Sequence, residues 1–191
     1  MDRREVLKVS TLILGYSLTA GTTAAILGGC KAETARDWTP KTLSNQEADM
    51  LAEICETILP KTDTPGAKDA LCHRYIDEVL TSFYDKEKQE YYKSSLKIFD
   101  EKSKVKYSKA FVALNINEKE AILADLAEEA NNYKDGTGDK PHIFKAVKQA
   151  TISGYFTSEV GAKGGLCEFL PLPGPYKGCI DYASVGKAYV L

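Results

Sequence analysis

The 191-residue chain has little of what most enzymes need. It has two histidines, His73 and His142, and neither stands in a motif with a second catalytic or metal-binding residue. H-E-x-x-H is absent, so a two-histidine zinc helix is excluded. G-x-S-x-G is absent, so a nucleophile elbow is excluded. No C-x-x-C occurs, which removes the commonest zinc, thioredoxin and haem-attachment patterns. The glycines of GAKGGL (residues 161–166) follow a helical pattern rather than a strand, so they do not make a dinucleotide or phosphate loop. No basic block appears either. The lysines alternate with Glu and Asp, as on a solvated helix face, and nucleic acid is not an expected partner. No internal repeat is visible.

What is present begins at the N-terminus. MDRREVLK carries Arg3, Arg4 and Lys8, and residues 9–29 are uncharged and rich in Leu, Ile, Ala, Gly and Thr. A short positive region, an apolar run and small residues at its end form a secretory signal. Arg3-Arg4 followed by Val6-Leu7-Lys8 resembles the twin-arginine export signal, with Asp2 and Val6 departing from its pattern. Leu27-Gly28-Gly29-Cys30 resembles the lipobox of bacterial lipoproteins, in which the cysteine thiol receives a diacylglycerol. These resemblances imply a signal over residues 1–29 and a chain anchored by lipid on Cys30 at the periplasmic side of the cell envelope. Two or more acyl chains hold stably where one holds weakly. Removing the signal takes away three basic and two acidic residues and moves the net charge from −2 to −3.

Residues 30–43 are polar with one Pro and read as a tether; Trp38 within it is expected to pack. Residues 44–191 have the length of one domain. Ser44-x-x-Glu47 is a capping box that opens a helix to about residue 59, with Leu51, Ile54, Cys55, Ile58 and Leu59 on one face. Pro60 ends it. Further helices are expected over residues 70–84, 86–104, 117–133 (opened by an Asn117-x-x-Glu120 cap) and 141–156, with Pro141 in the first turn. Phe111 and Leu114 read as core anchors. His73 reads as a helix-surface residue, and His142 as a surface residue just inside a helix start. From about residue 159 Gly and Pro interrupt the chain and helical periodicity is lost. The expected fold is all-α, with about five helices in a compact bundle and a long irregular Gly/Pro-rich C-terminal segment. Phe169, Leu170, Leu172, Tyr176, Tyr182 and Tyr189 make that segment too apolar for free solvent; it must cover this domain or another protein.

An exported chain lives where disulfides persist, and Cys55, Cys72, Cys167 and Cys179 allow three pairings. Cys55–Cys72 and Cys167–Cys179 are favoured by nearness in sequence, each bridge adding about 3 kcal/mol. Glu159, placed at a helix C-terminus where a carboxylate is disfavoured, is expected to have a specific partner.

One block is more informative. Residues 148–179 contain GYFTSEVG (154–161) and then Pro171-x-Pro173-Gly174-x-Tyr176-x-Gly178-Cys179. Together with the earlier E-x-I-L-P-x-T-D-T-P-G-A stretch (56–67), they resemble the gluconate 2-dehydrogenase subunit 3 family over most of the mature chain. The lipobox cysteine departs from many members of that family, which carry a twin-arginine signal without it. The resemblance implies a non-catalytic small subunit, with no cofactor of its own. It implies a large partner of the glucose–methanol–choline type that holds FAD and oxidises a sugar, sugar acid or polyol, often with a cytochrome c subunit. The small subunit carries the signal on which the flavoprotein crosses folded. By this resemblance Tyr155, Phe156, Glu159, Phe169, Leu170, Pro171, Pro173 and Tyr176 are candidate partner contacts. Two other readings compete: a free-standing envelope lipoprotein that binds a small ligand or another protein, and an enzyme in its own right, for which the sequence supplies no set of catalytic partners.

Overall fold

The computed structural model describes residues 37–133, 141–170, 172, 174–175, 178–186 and 188–190. The expectations for Arg3, Arg4, Cys30, Pro171, Pro173 and Tyr176 lie outside the described residues. The chain divides into an N-terminal unit, residues 1–39, and a second unit from Pro40 onward.

The second unit is helical. In chain order it contains α1 (Asn45–Ile58), α2 (Cys72–Phe83), α3 (Lys86–Tyr107), a 3-10 turn (Phe111–Ala113), α4 (Ile116–Asn132), α5 (Ile143–Phe156) and α6 (Glu159–Lys163). A two-residue strand β1 (Glu168–Phe169), a short helix α7 (Tyr182–Val185) and a strand β2 (Tyr189–Val190) follow. The strands pair in parallel, Glu168 opposite Tyr189 and Phe169 opposite Val190. The expected bundle of five helices with an irregular tail is the observed fold.

Local chemistry accounts for several of the starts and stops. The Ser44 hydroxyl accepts from the Glu47 amide, and the Glu47 carboxylate accepts from the Ser44 amide at 2.8 Å, closing the capping box of α1. Asp85 caps α3 by accepting from the Lys88 amide at 2.8 Å. At the other end of α3, Ser108 takes a left-handed φ of 57° and its amide caps the Lys104 carbonyl. Two expected starts are displaced. The cap of α4 is Asn115, in a capping box with Glu118, two residues before the Asn117 pattern. The cap of α5 is His142, whose Nδ1 accepts from the Phe144 amide at 3.3 Å, so Pro141 precedes the helix rather than sitting in its first turn.

The core lies around α5, which packs against α1, α2, α3, α4 and α6. Its Val147, Thr151, Gly154 and Tyr155 are buried, as are Leu51, Ile54 and Cys55 of α1, Ile76 and Leu80 of α2, Leu96 and Phe99 of α3, and Ile122 and Leu126 of α4. Phe111 stands edge-on to Phe99, ring centroids 5.9 Å apart, and Leu114 is buried beside it in sequence, so both expected anchors are core residues. Glu53 joins three elements, pairing with Lys68 of the α1–α2 loop at 2.5 Å and with Lys119 of α4 at 2.8 Å.

The last three residues of the segment read as a tether are bound to the domain. The carboxylate of Asp77 on α2, which is almost fully buried, accepts from the amides of Lys41 (2.7 Å), Thr42 (3.1 Å) and Leu43 (2.8 Å). Three amides converging on one carboxylate satisfy a buried charge that would otherwise be costly. Lys41 adds an ion pair to Glu78 and Thr42 a hydroxyl contact to Thr81.

Candidate functional site

The two stretches singled out in the sequence meet in space. The loop of residues 60–71 is held from below by Glu56, whose carboxylate accepts from the Lys61 amide (3.0 Å) and the Lys68 amide (2.8 Å). Asp69 accepts from the Gly66 amide and pairs with Lys61, whose hydrogen bond holds the Asp69 carboxyl below its usual range. The end of α5 closes over this loop. Tyr155 is fully buried and its hydroxyl donates to the Pro65 carbonyl at 2.8 Å. Its ring stands edge-on to Phe156 at 5.2 Å.

The glycines of GYFTSEVG permit this closure. A Cβ on Gly154 would lie 2.7 Å from the Tyr75 ring, and one on Gly161 would collide with the Tyr155 carbonyl oxygen. Gly161 thus lets the chain fold back after α5, with Ser158 capping the new turn by accepting from the Gly161 amide at 2.9 Å.

This geometry corrects the candidate contacts. Tyr155 is a core residue whose hydroxyl is already engaged, so it offers no surface to a partner. Phe156 and Leu170 are half-buried. Glu159 is exposed, but it is not at a helix C-terminus: α5 stops at Phe156, and Glu159 opens α6, where a carboxylate suits the helix N-terminus. It pairs with Lys163 at 2.7 Å, which holds its carboxyl below the usual range. Phe169 is 46% exposed. With it, Leu166, Leu172, Ile180 and Tyr189 stand exposed along the C-terminal segment, Leu172 at 85%. The segment therefore leaves much of its apolar surface uncovered. Of the expected contacts, Phe169 presents this surface; Leu172, Ile180 and Tyr189, none of them among the candidates, join it.

The expected disulfides are not formed: all four cysteines are free. Cys55 and Cys72 are both buried on either side of Thr151 of α5. The Thr151 hydroxyl lies 3.3 Å from the Cys55 sulfur, and the Cys72 thiol donates to the Thr151 carbonyl at 3.6 Å. Burial pushes the Cys55 thiol up to about 12 and the Cys72 thiol to about 11, so both stay protonated and unreactive. Cys167 is half-buried and Cys179 exposed.

Among the described residues no three His, Cys, Asp or Glu side chains group as a metal site, and no helix is long and apolar enough to cross a membrane. His142 is half-buried at its cap and stacks edge-on with Tyr133 at 5.4 Å. Burial holds its imidazole below the usual range.

No curated protein and no solved structure matches the chain. The model of one family does match, over residues 45–174, which takes in all the long helices, the Pro65 loop and the start of the exposed tail. By that match the chain belongs to the gluconate 2-dehydrogenase subunit 3 family.

Proposed function

We propose that this chain is the non-catalytic small subunit of a dehydrogenase complex. In this reading it binds a large FAD-dependent subunit of the glucose–methanol–choline type, helps it to fold and be exported, and anchors it to the membrane. The large subunit oxidises a sugar, sugar acid or polyol, and a cytochrome c subunit takes the electrons onward. FAD sits on the large subunit. The chain itself lies at the periplasmic side of the envelope, held by lipid on Cys30.

One observation carries the reading. A domain with a closed core ends in a segment that exposes Leu166, Phe169, Leu172, Ile180 and Tyr189, although it has a bundle of its own on which to bury them. Apolar exposure gathered in one segment marks a surface made for another protein. Aromatic groups on such a surface supply most of an interface's energy at low ordering cost. Family membership names the kind of complex, and Arg3 and Arg4 supply a signal suited to folded cargo.

The test is a pull-down of the tagged full chain from native envelope, with an absorbance scan of the eluate. A stoichiometric, flavin-containing partner supports the proposal. A colourless, partner-free monomer overturns it in favour of a free-standing lipoprotein. Replacing Arg3 and Arg4 by Lys is expected to strand both chains in the cytoplasm.

A further inference from the structure

The chain enters the domain beside an exposed aromatic corner. Lys41 pairs with Glu78 at 2.6 Å, and the Thr42 hydroxyl lies 2.7 Å from that of Thr81, in the last turn of α2. Two residues on, Phe83 ends α2 with 81% of its surface exposed, and Tyr84 follows at 39%. Residues 81–87 are all exposed. We propose that this corner rests on the phospholipid bilayer, with Phe83 reaching below the headgroups.

That contact rests on the lipid anchor proposed for Cys30, eleven residues before Lys41. A chain of that length extends at most about 40 Å, so the entry point stays within this distance of the bilayer whatever path the intervening residues take. A contact too weak to form between separate partners is populated once a tether makes it intramolecular.

The corner is built to hold Phe83 out. The Gln89 side-chain amide donates to the carbonyls of Leu80 and Tyr84, both at 2.9 Å, and fixes the turn between α2 and α3. The apolar surface continues past Phe83 into a cleft of about 180 Å3 walled by Tyr84, Tyr91, Pro141 and Ile143. Charge does not draw this corner to a membrane: Lys41, Lys86 and Lys88 are balanced by Glu78, Asp85 and Glu87. Apolar burial supplies the contact, so a neutral lipid suffices, with aromatic rings at headgroup level. The arrangement also leaves the tail free. Pro141 and Ile143 stand where α5 begins, and the tail follows its end at Phe156. A 14-residue helix spans about 21 Å, so the corner and the root of the tail lie at opposite ends of α5.

The probe is a vesicle of phosphatidylcholine brominated near the glycerol end of its acyl chains, which quenches indole emission on contact. The full lipidated chain carries Trp38→Phe, which removes its one tryptophan, together with either Phe83→Trp or Val105→Trp. Val105, 88% exposed near the far end of α3, is the reference position. Exposed substitutions of this kind leave the fold intact. The indole at position 83 is expected to be quenched about fivefold more strongly than the one at position 105, in low and high salt alike. Equal quenching at both positions, or none at either on vesicle-bound chain, overturns the proposal. So does an indole at position 83 that only the native complex shields from acrylamide, which makes the corner a protein interface. A chain that does not float with the vesicles has no working lipid anchor and overturns that reading and this contact together.

Discussion

Asp77 decides where the folded unit begins. Its carboxylate holds the amides of residues 41–43. Asp77→Ala leaves buried amides without an acceptor and is expected to cost about 3 kcal/mol by urea denaturation, with Asp77→Asn losing less because one oxygen remains. No local pattern announces this residue; it is one of two adjacent acids on an amphipathic helix, and its partners lie 34 to 36 residues earlier. His142 acts at the same scale. Its Nδ1 is an acceptor only while the ring is neutral, and burial depresses its folded pKa below 6.5. The folded state therefore resists the proton that the unfolded state accepts. Stability should be complete above pH about 6.5 and fall as pH drops through that value toward the folded pKa. His142→Asn, which caps without titrating, should remove that part of the pH dependence in denaturation midpoints measured from pH 5 to 8.

The elements show which sequence signals decide and which do not. Ser44 has one capping pattern before it and one apolar stripe after it, so α1 is found where the sequence puts it. In NINEKE the pattern occurs twice, as Asn115-x-x-Glu118 and as Asn117-x-x-Glu120. The inward face of α4 (Ile122, Leu123, Leu126, Ala130) is the same from either start, so periodicity cannot choose between them. Leu114, buried immediately before Asn115, sets the earlier one. Asn115→Ala is accordingly expected to cost about 1 kcal/mol in thermal unfolding, and Asn117→Ala, exposed inside the helix, close to nothing. Tyr155 is a candidate contact by the family resemblance, and the structure buries it. Its acceptor, the Pro65 carbonyl, is 90 residues away and leaves no local trace. Nearness in sequence misled for the cysteines in the same way: what lies between Cys55 and Cys72 in space is Thr151, from a helix almost a hundred residues on.

For the whole molecule, the division of labour is between a closed core and an open tail. The core is satisfied by its own residues. The tail exposes apolar groups that no bundle helix covers. Phe169→Asp combined with Ile180→Asp is expected to abolish co-purification of the proposed partner subunit. The same pair should leave helical circular dichroism and Tm nearly unchanged, since exposed substitutions shift stability by about 0.5 kcal/mol or less. A large drop in Tm would instead make these residues part of the fold. The number and order of the helices, their inward faces and the apolar character of the tail were legible because each depends on short-range pattern. The burial of Tyr155 and the clamp at Asp77 depend on contacts across the chain, and only the folded structure shows them.

The central place of α5 has a consequence for how the chain acquires its shape. The helix that touches every other long helix is the last of them to be synthesised, and the Tyr155 hydroxyl reaches back 90 residues to its acceptor. A nascent chain that ends before Ile143 lacks the helix on which its four long helices converge, and the surfaces of α1 and α2 that α5 covers stay open to whatever is nearby. Folding is then one late event with many distant contacts rather than a helix-by-helix accretion, and slower than is usual for a bundle. Until α5 leaves the ribosome, the chain is a client for chaperones.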